Sequence, residues 1–210
     1  MNSRKFLPLS VAAVLLVAPA AVLAQAPPPA KLSTDPATVQ SGAYTLDPNH
    51  GRIVWHVSHR GLSIWYGDFA KPTGTAVLDP KNPAADQVDI TIPTASVSTT
   101  NAKLDGELKS PDWFDAEKFP TIHFKSTKVV PTGPGSADVT GDLTFHGVTK
   151  PVKLEVKFHA AGTDGMSTRY NVGFDAKTRI KRSDFGVLTG LPALGDDVHI
   201  VISAPFNKAG

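Results

Sequence analysis

Apolar side chains recur at every second position through most of this chain, and that alternation constrains the fold more than any other feature. Ile53, Trp55 and Val57 alternate with Arg52, Val54, His56 and Ser58; Val88, Ile90 and Ile92 alternate with Gln87, Asp89 and Thr91. The same phase runs through Ala137, Val139, Gly141, Leu143 and Phe145, then Val152, Leu154, Val156 and Phe158. It returns in Tyr170, Val172, Phe174 and Ala176, and again in Val198, Ile200, Ile202 and Ala204. Period two marks strands with one buried and one wet face. These runs exceed the usual length of about five or six residues. Long antiparallel strands of this kind suit a meander that curls and closes on itself.

The punctuation agrees. Gly133-Pro134-Gly135 and Asp164-Gly165 are turn chemistry between alternating runs. Gly74 and Gly141 are candidates for bends or bulges in a curved wall. Residues 100–118 alone lose the alternation: there Thr100 or Asn101 is placed to cap a short helix carrying Leu104 and Leu108, and Ser110-Pro111 to begin another turn. The expected fold is all-β, an extended lipocalin-like antiparallel barrel of about eight or nine strands with a short helical insertion. A two-sheet sandwich shares the alternation; strand length favours the barrel.

The N-terminus reads as an export signal. Arg4 and Lys5 precede an apolar stretch from Val11 to Leu23, broken once at Pro19, with Val22 and Ala24 as the small residues before a cleavage site. The stretch falls short of the roughly 20 residues a spanning helix needs. The expectation is a signal peptide over residues 1–24, a flexible Pro/Ala-rich linker over 25–43 and one domain over 44–210, in the periplasm. Removing the signal takes two of the 21 basic residues and none of the 19 acidic ones, so the mature chain balances at 19 of each. That neutrality excludes a basic footprint for nucleic acid. The chain has no cysteine, which excludes disulfides, thiol chemistry and cysteine–metal sites.

Seven histidines raise a metal hypothesis that spacing does not support. His56 and His59 are three apart on one strand and point to opposite faces. His50, His123, His146, His159 and His199 are scattered singly, whereas zinc needs three or four converging ligands. No metal and no cofactor is expected. Asp184-Phe185-Gly186 has no phosphate-loop companion and reads as a turn. Neither a G-x-S-x-G elbow nor an H-E-x-x-H helix occurs. Enzyme function therefore has no positive support, although His59 or His146 would be the base of a hydrolase alternative. The other alternative is a barrel that works by binding another protein through an edge strand. Two aromatic pairs, Trp65-Tyr66 and Trp113-Phe114, fit no strand interior and are candidates for the mouth of a cavity.

In order along the chain stand Tyr44-Thr45-Leu46-Asp47-Pro48-Asn49-His50, Val57-Ser58-His59-Arg60-Gly61 and Gly67-Asp68-Phe69. Then come Leu108-Lys109-Ser110-Pro111-Asp112-Trp113-Phe114-Asp115 and Phe119-Pro120-Thr121-Ile122-His123-Phe124-Lys125-Ser126. Gly141-Asp142-Leu143-Thr144-Phe145-His146-Gly147-Val148-Thr149 and Arg182-Ser183-Asp184-Phe185-Gly186 complete the set. In these segments the sequence resembles the YceI-like family of periplasmic isoprenoid-binding proteins, over about Tyr44 to Phe206. It departs from the common pattern at Glu107-Leu108 and at Trp113. The resemblance implies an elongated internal pocket for a polyprenyl chain, of a quinone or prenyl phosphate, with the membrane as lipid source and a homodimer as one assembly. With the inward phase of the strands, it gives the expected ligand-binding set: Trp55, Val57, Phe69, Ile90, Trp113, Phe114, Phe124, Leu143, Phe145 and Phe185.

Overall fold

The computed structural model describes residues 31–165 and 169–209. Residues 1–24, where an export signal and its cleavage site are expected, lie outside the described residues. Twelve strands and one α-helix follow in chain order: β1 (Lys31–Ser33), β2 (Gly42–Leu46), β3 (Arg52–His59), β4 (Ser63–Phe69), β5 (Thr73–Leu78), β6 (Gln87–Pro93), β7 (Val97–Ser98), α1 (Ala102–Lys109), β8 (Thr121–Gly133), β9 (Ser136–Phe145), β10 (Val148–Thr163), β11 (Asn171–Lys181) and β12 (Leu194–Lys208).

β2 to β12 make eight staves, and β1 is an added strand on β10. β12 pairs β2 through Phe206↔Leu46 and β3 through Ser203↔Arg52, so β2 and β3 are one interrupted stave along β12. β4 and β5 continue each other against that stave, and β6 and β7 continue each other against β5 and β4. A proline stands at each of the three interruptions: Pro48, Pro72 and Pro93. Proline donates no ladder hydrogen bond and locks its own φ, so the pairing lapses there and resumes beyond. The remaining staves are β8 to β12 in sequence order, and β12 bonds to β11 on one side and to β2–β3 on the other. The sheet therefore closes into an eight-stave antiparallel barrel, which removes the sandwich alternative.

Turn chemistry sets the hairpins. His146 and Gly147, with φ of 50° and 76°, form the two-residue connection between β9 and β10. That left-handed pair matches the twist of the flanking strands. Gly135, also left-handed, closes the β8–β9 connection. Asn101 caps α1, its side chain accepting from the N–H groups of Lys103 (3.1 Å) and Leu104 (3.3 Å).

One expectation needs correction. From Lys31 onward the segment expected to be a linker is packed on the barrel. β10 outruns β9 at its far end, and β1 pairs Ala161 to Thr163 in the place β9 leaves. Asp35 caps a 3₁₀ turn at Pro36–Thr38, Val39 is buried, and the Tyr170 hydroxyl donates to Thr38 O at 2.8 Å. Its composition is that of a linker; the unpaired edge of β10 gives it a partner.

The interior divides in two. One buried cluster, with Tyr44, Leu46, Leu78, Phe158, Val172 and Phe206, fills the end where β2 begins and β12 finishes. The other, with Trp55, Phe69, Phe124, Leu143 and Phe145, occupies the rest. At this second end gather the β3–β4 tip, the α1 insertion, the His146 turn and the 186–193 connection.

Candidate ligand cavity

A cavity of about 600 Å³ runs inside the barrel, within the roughly 300–1,000 Å³ typical of small-molecule sites. Strand register builds its wall in rows. Ile53 faces Ile202, Ile202 faces Ala176, Ala176 faces Val156 and Val156 faces Ala137, and all five line the cavity. The next row carries Trp55 opposite Ile200, with Thr178 beyond it. The Thr178 hydroxyl donates to Lys153 O at 2.8 Å, so this one polar chain in mid-wall is satisfied by the wall itself.

These inward residues are not packed as a core would pack them. Val57, Ile90, Leu154, Val156, Ile180, Val198, Ile200 and Ile202 are only partly buried although the barrel is closed around them. In a filled interior such chains lose almost all accessible surface. Here they keep it because they face open space.

Nine of the ten expected residues line the cavity: Trp55, Val57, Phe69, Ile90, Trp113, Phe114, Phe124, Leu143 and Phe145. Phe185 does not. It is 2 % exposed and packs at a tilt against Phe145, ring centroids 5.8 Å apart, in the short 3₁₀ segment after β11. It backs the wall from within the same buried cluster. Trp55 lies flat on Gly67, where an added Cβ would come within 2.2 Å of the indole. Only glycine allows that approach.

The two ends differ. At the filled end Tyr44 is 0 % exposed and its hydroxyl donates to Gln40 O at 2.6 Å. Burial, with Tyr170 adding to it, pushes that phenol up to about 12. At the other end α1 presents Leu104 and Leu108 to the cavity, and Phe114 wedges between Phe69 and Phe145 at 6.0 and 5.4 Å. Trp113 lies against Arg182, which is 6 % exposed and 5.8 Å from the indole centre. Arg182 donates to the carbonyls of Val187 (2.9 Å), Thr189 (2.8 Å), Leu194 (3.2 Å) and Gly195 (2.8 Å). Its guanidinium thus holds the 186–193 connection to the start of β12. Burial lowers its pKa, and Asp196 opposes that shift.

The histidines divide as their spacing implies. His59 lines the cavity 5.9 Å from the Trp65 ring, while His56 stacks on His199 outside, centroids 4.8 Å apart. Burial, then the neighbouring His199, lowers the pKa of His56. His146 sits off the cavity, with Nδ1 3.0 Å from Phe185 O and its ring edge-on to Phe119. Among the described residues no group of three or more His, Asp or Glu could hold a metal ion. Asp86, on the wall beside β6, accepts from Asp79 N–H at 2.7 Å; burial pushes its carboxyl up to about 6, opposed by that hydrogen bond and assisted by the Asp79 charge.

The expected ligand-binding set leaves out most of the β10–β12 wall: Leu154, Val156, Ile180, Val198, Ile200 and Ile202. The alternation places all of these but Ile180 on the apolar phase of their strands. Arg182 had no such signal, since its partners are backbone carbonyls.

A closed eight-stave barrel around one apolar cavity defines a lipocalin-like binding protein. A family model described as the YceI-like domain matches residues 44–206. Protein YceI of Escherichia coli is 41% identical over 162 residues, spanning 76% of this chain and 84% of that protein. The chain belongs to the YceI-like family. The crystal structure of Burkholderia cenocepacia BcnA superposes with a TM-score of 0.69 at 26% identity, covering 76% of this chain and 98% of that one. A polyisoprenoid binding domain from Saccharophagus degradans superposes at 0.62 with 14% identity, covering 81% and 100%, a likeness of fold.

Proposed function

We propose that this protein binds a long-chain isoprenoid-type lipid, a quinone or polyprenyl compound, in its barrel and carries or stores it in the periplasm after export. The observation that carries the reading is the incompletely buried apolar wall of a closed barrel: it is a surface built to be covered by something else. The Saccharophagus degradans structure, described as a polyisoprenoid binding domain, lends support from the same fold.

Physics constrains how such a carrier works. Each methylene removed from water stabilises the complex by ~0.8 kcal/mol, so a long tail binds tightly in water. A tail drawn from a bilayer is already out of water, and that contribution largely cancels. Net affinity then rests on shape fit and contacts at the cavity end, less the ordering of the tail. The protein holds its lipid against water yet exchanges it readily with membranes.

The test is titration of the delipidated protein with a long-tailed ubiquinone and with the same headgroup lacking its tail, read by quenching of the wall tryptophans. Tail-dependent saturation at one ligand per chain is expected. Equal binding of the bare headgroup, or no saturable binding of either, refutes the reading.

A further inference from the structure

The β3–β4 tip carries the most exposed large apolar residue among the described residues. Leu62 is 87% exposed, and Ile64 and Tyr66 beyond it are 49% and 58% exposed. The 186–193 connection lies beside this tip, joined to it by Arg60 N–H donating to Ala193 O at 2.9 Å, and it projects Leu188 at 59% exposure. Surface leucines scattered singly need no explanation, but Leu62 and Leu188 on two bonded loops, with Ile64 and Tyr66 exposed on the adjoining β4, do.

We propose that this end docks on the headgroup layer of a lipid bilayer, with Leu62 and Leu188 inserted and Arg60 at phosphate level; the proposal deepens the lipid-carrier reading and rests on it. Continuity with the cavity is the first argument. Trp65 stands between Ile64 and Tyr66 on β4 and lines the cavity, so one strand presents apolar chains outward and an indole to the interior. A lipid leaving the bilayer there meets apolar surface from entry to wall.

Charge is the second argument. Residues 48–67 and 185–195 contain no Asp or Glu, while the tip carries Arg60. The neighbouring carboxylates are mostly engaged: Asp68 pairs with Arg52, Asp197 with Arg179 at 3.7 Å, and Asp196 accepts from Ser183. Asp112, Glu107 and Glu117 of the α1 insertion, all exposed at this end, remain, and Lys103, Lys109 and Lys118 of the same insertion offset them in number. A surface of phosphates tolerates such a face and an acidic face would be repelled by it. Shape is the third. Leu62 and Leu188 project from loop tips with Ile64 and Tyr66 on β4 behind them, which suits a fluid layer, and Tyr66 and Trp65 are the residue types that favour the membrane–water boundary.

The experiment compares the full chain with Leu62→Asp, Leu188→Asp and the double variant, using Val77→Asp, 48% exposed at the far end, as control. Sedimentation with vesicles of phosphatidylethanolamine and phosphatidylglycerol reads docking. Uptake of a dansyl-labelled polyprenyl alcohol from those vesicles reads transfer, and binding of the same probe from detergent-free buffer reads the cavity. Docking and transfer rate are expected to fall about tenfold or more in the double variant, with cavity binding and Val77→Asp unchanged. Wild-type levels of docking in the double variant overturn the proposal, as does failure of the wild-type chain to sediment with vesicles. Association of the wild-type chain with itself, abolished by Leu62→Asp in the absence of lipid, overturns it in favour of a second copy. Docking without any cavity binding upholds this surface and refutes the carrier reading, so the two fail separately.

Discussion

Ala176→Phe separates a hollow barrel from a packed one by the sign of its effect. Ala176 faces inward between Val156 and Ile202, and all three line the cavity. A cavity of ~150 Å³ accommodates a benzene ring, so a phenyl group here would take roughly a quarter of the about 600 Å³ available. Burying the ring contributes about 1.5–3 kcal/mol, and the lost rotamer freedom leaves about 1–2 kcal/mol of net stabilisation. For a chain of this size that raises the melting temperature by roughly 2–8 °C. In a packed interior the same substitution would force strain and destabilise by about 1–3 kcal/mol. Circular dichroism melts of the delipidated variant and wild type read the stability, and long-tailed ubiquinone titration reads the loading. Higher stability with weaker loading is expected. A lower melting temperature in a folded variant would refute the hollow wall.

Three further outcomes follow from the same account. Leu143→Asp places a carboxylate on the cavity wall and abolishes lipid loading or unfolds the chain, whereas Thr144→Lys, on the outer phase beside Thr149, does neither; a folded Leu143→Asp that still loads lipid reverses inside and outside. Asp86 binds its proton more tightly folded than unfolded, about 6 against 3.8, so stability falls as pH rises between about 4 and 6 and is flat above. Discounted for the solvent that reaches it, the effect is on the order of 1 kcal/mol. Asp86→Asn should remove that slope in melts across the range, and an unchanged slope assigns it to another group. Cleavage after Ala24 leaves Gln25 first, which the intact mass of periplasmic protein checks; a mass retaining residues 1–24 contradicts it.

Alternation made the wall legible because period two assigns each residue to a face whatever lies beyond it. For the same reason it could not show the cavity: Ile200 and Val198 would sit in the same phase if the barrel were solid. The three proline interruptions stood in the sequence, but only pairing shows that β2–β3, β4–β5 and β6–β7 are single staves. β1 was hidden because three residues carry no periodicity and its partner edge exists only once β10 outruns β9. Phe185 had no strand phase to place it: the sequence reads it in a turn, and the 3₁₀ segment that holds it packs it against Phe145 and not into the cavity. Arg182 was invisible as a structural centre because carbonyl partners have no sequence identity.

Native mass spectrometry of the protein released from the periplasm without detergent tests the central claim most directly. The account predicts a complex of one chain with one apolar lipid, its mass resolved on dissociation into an isoprenoid-tailed molecule, and loss of that increment in Leu143→Asp if it folds. Wild-type chain arriving bare, or carrying a polar small molecule in the cavity, would contradict it.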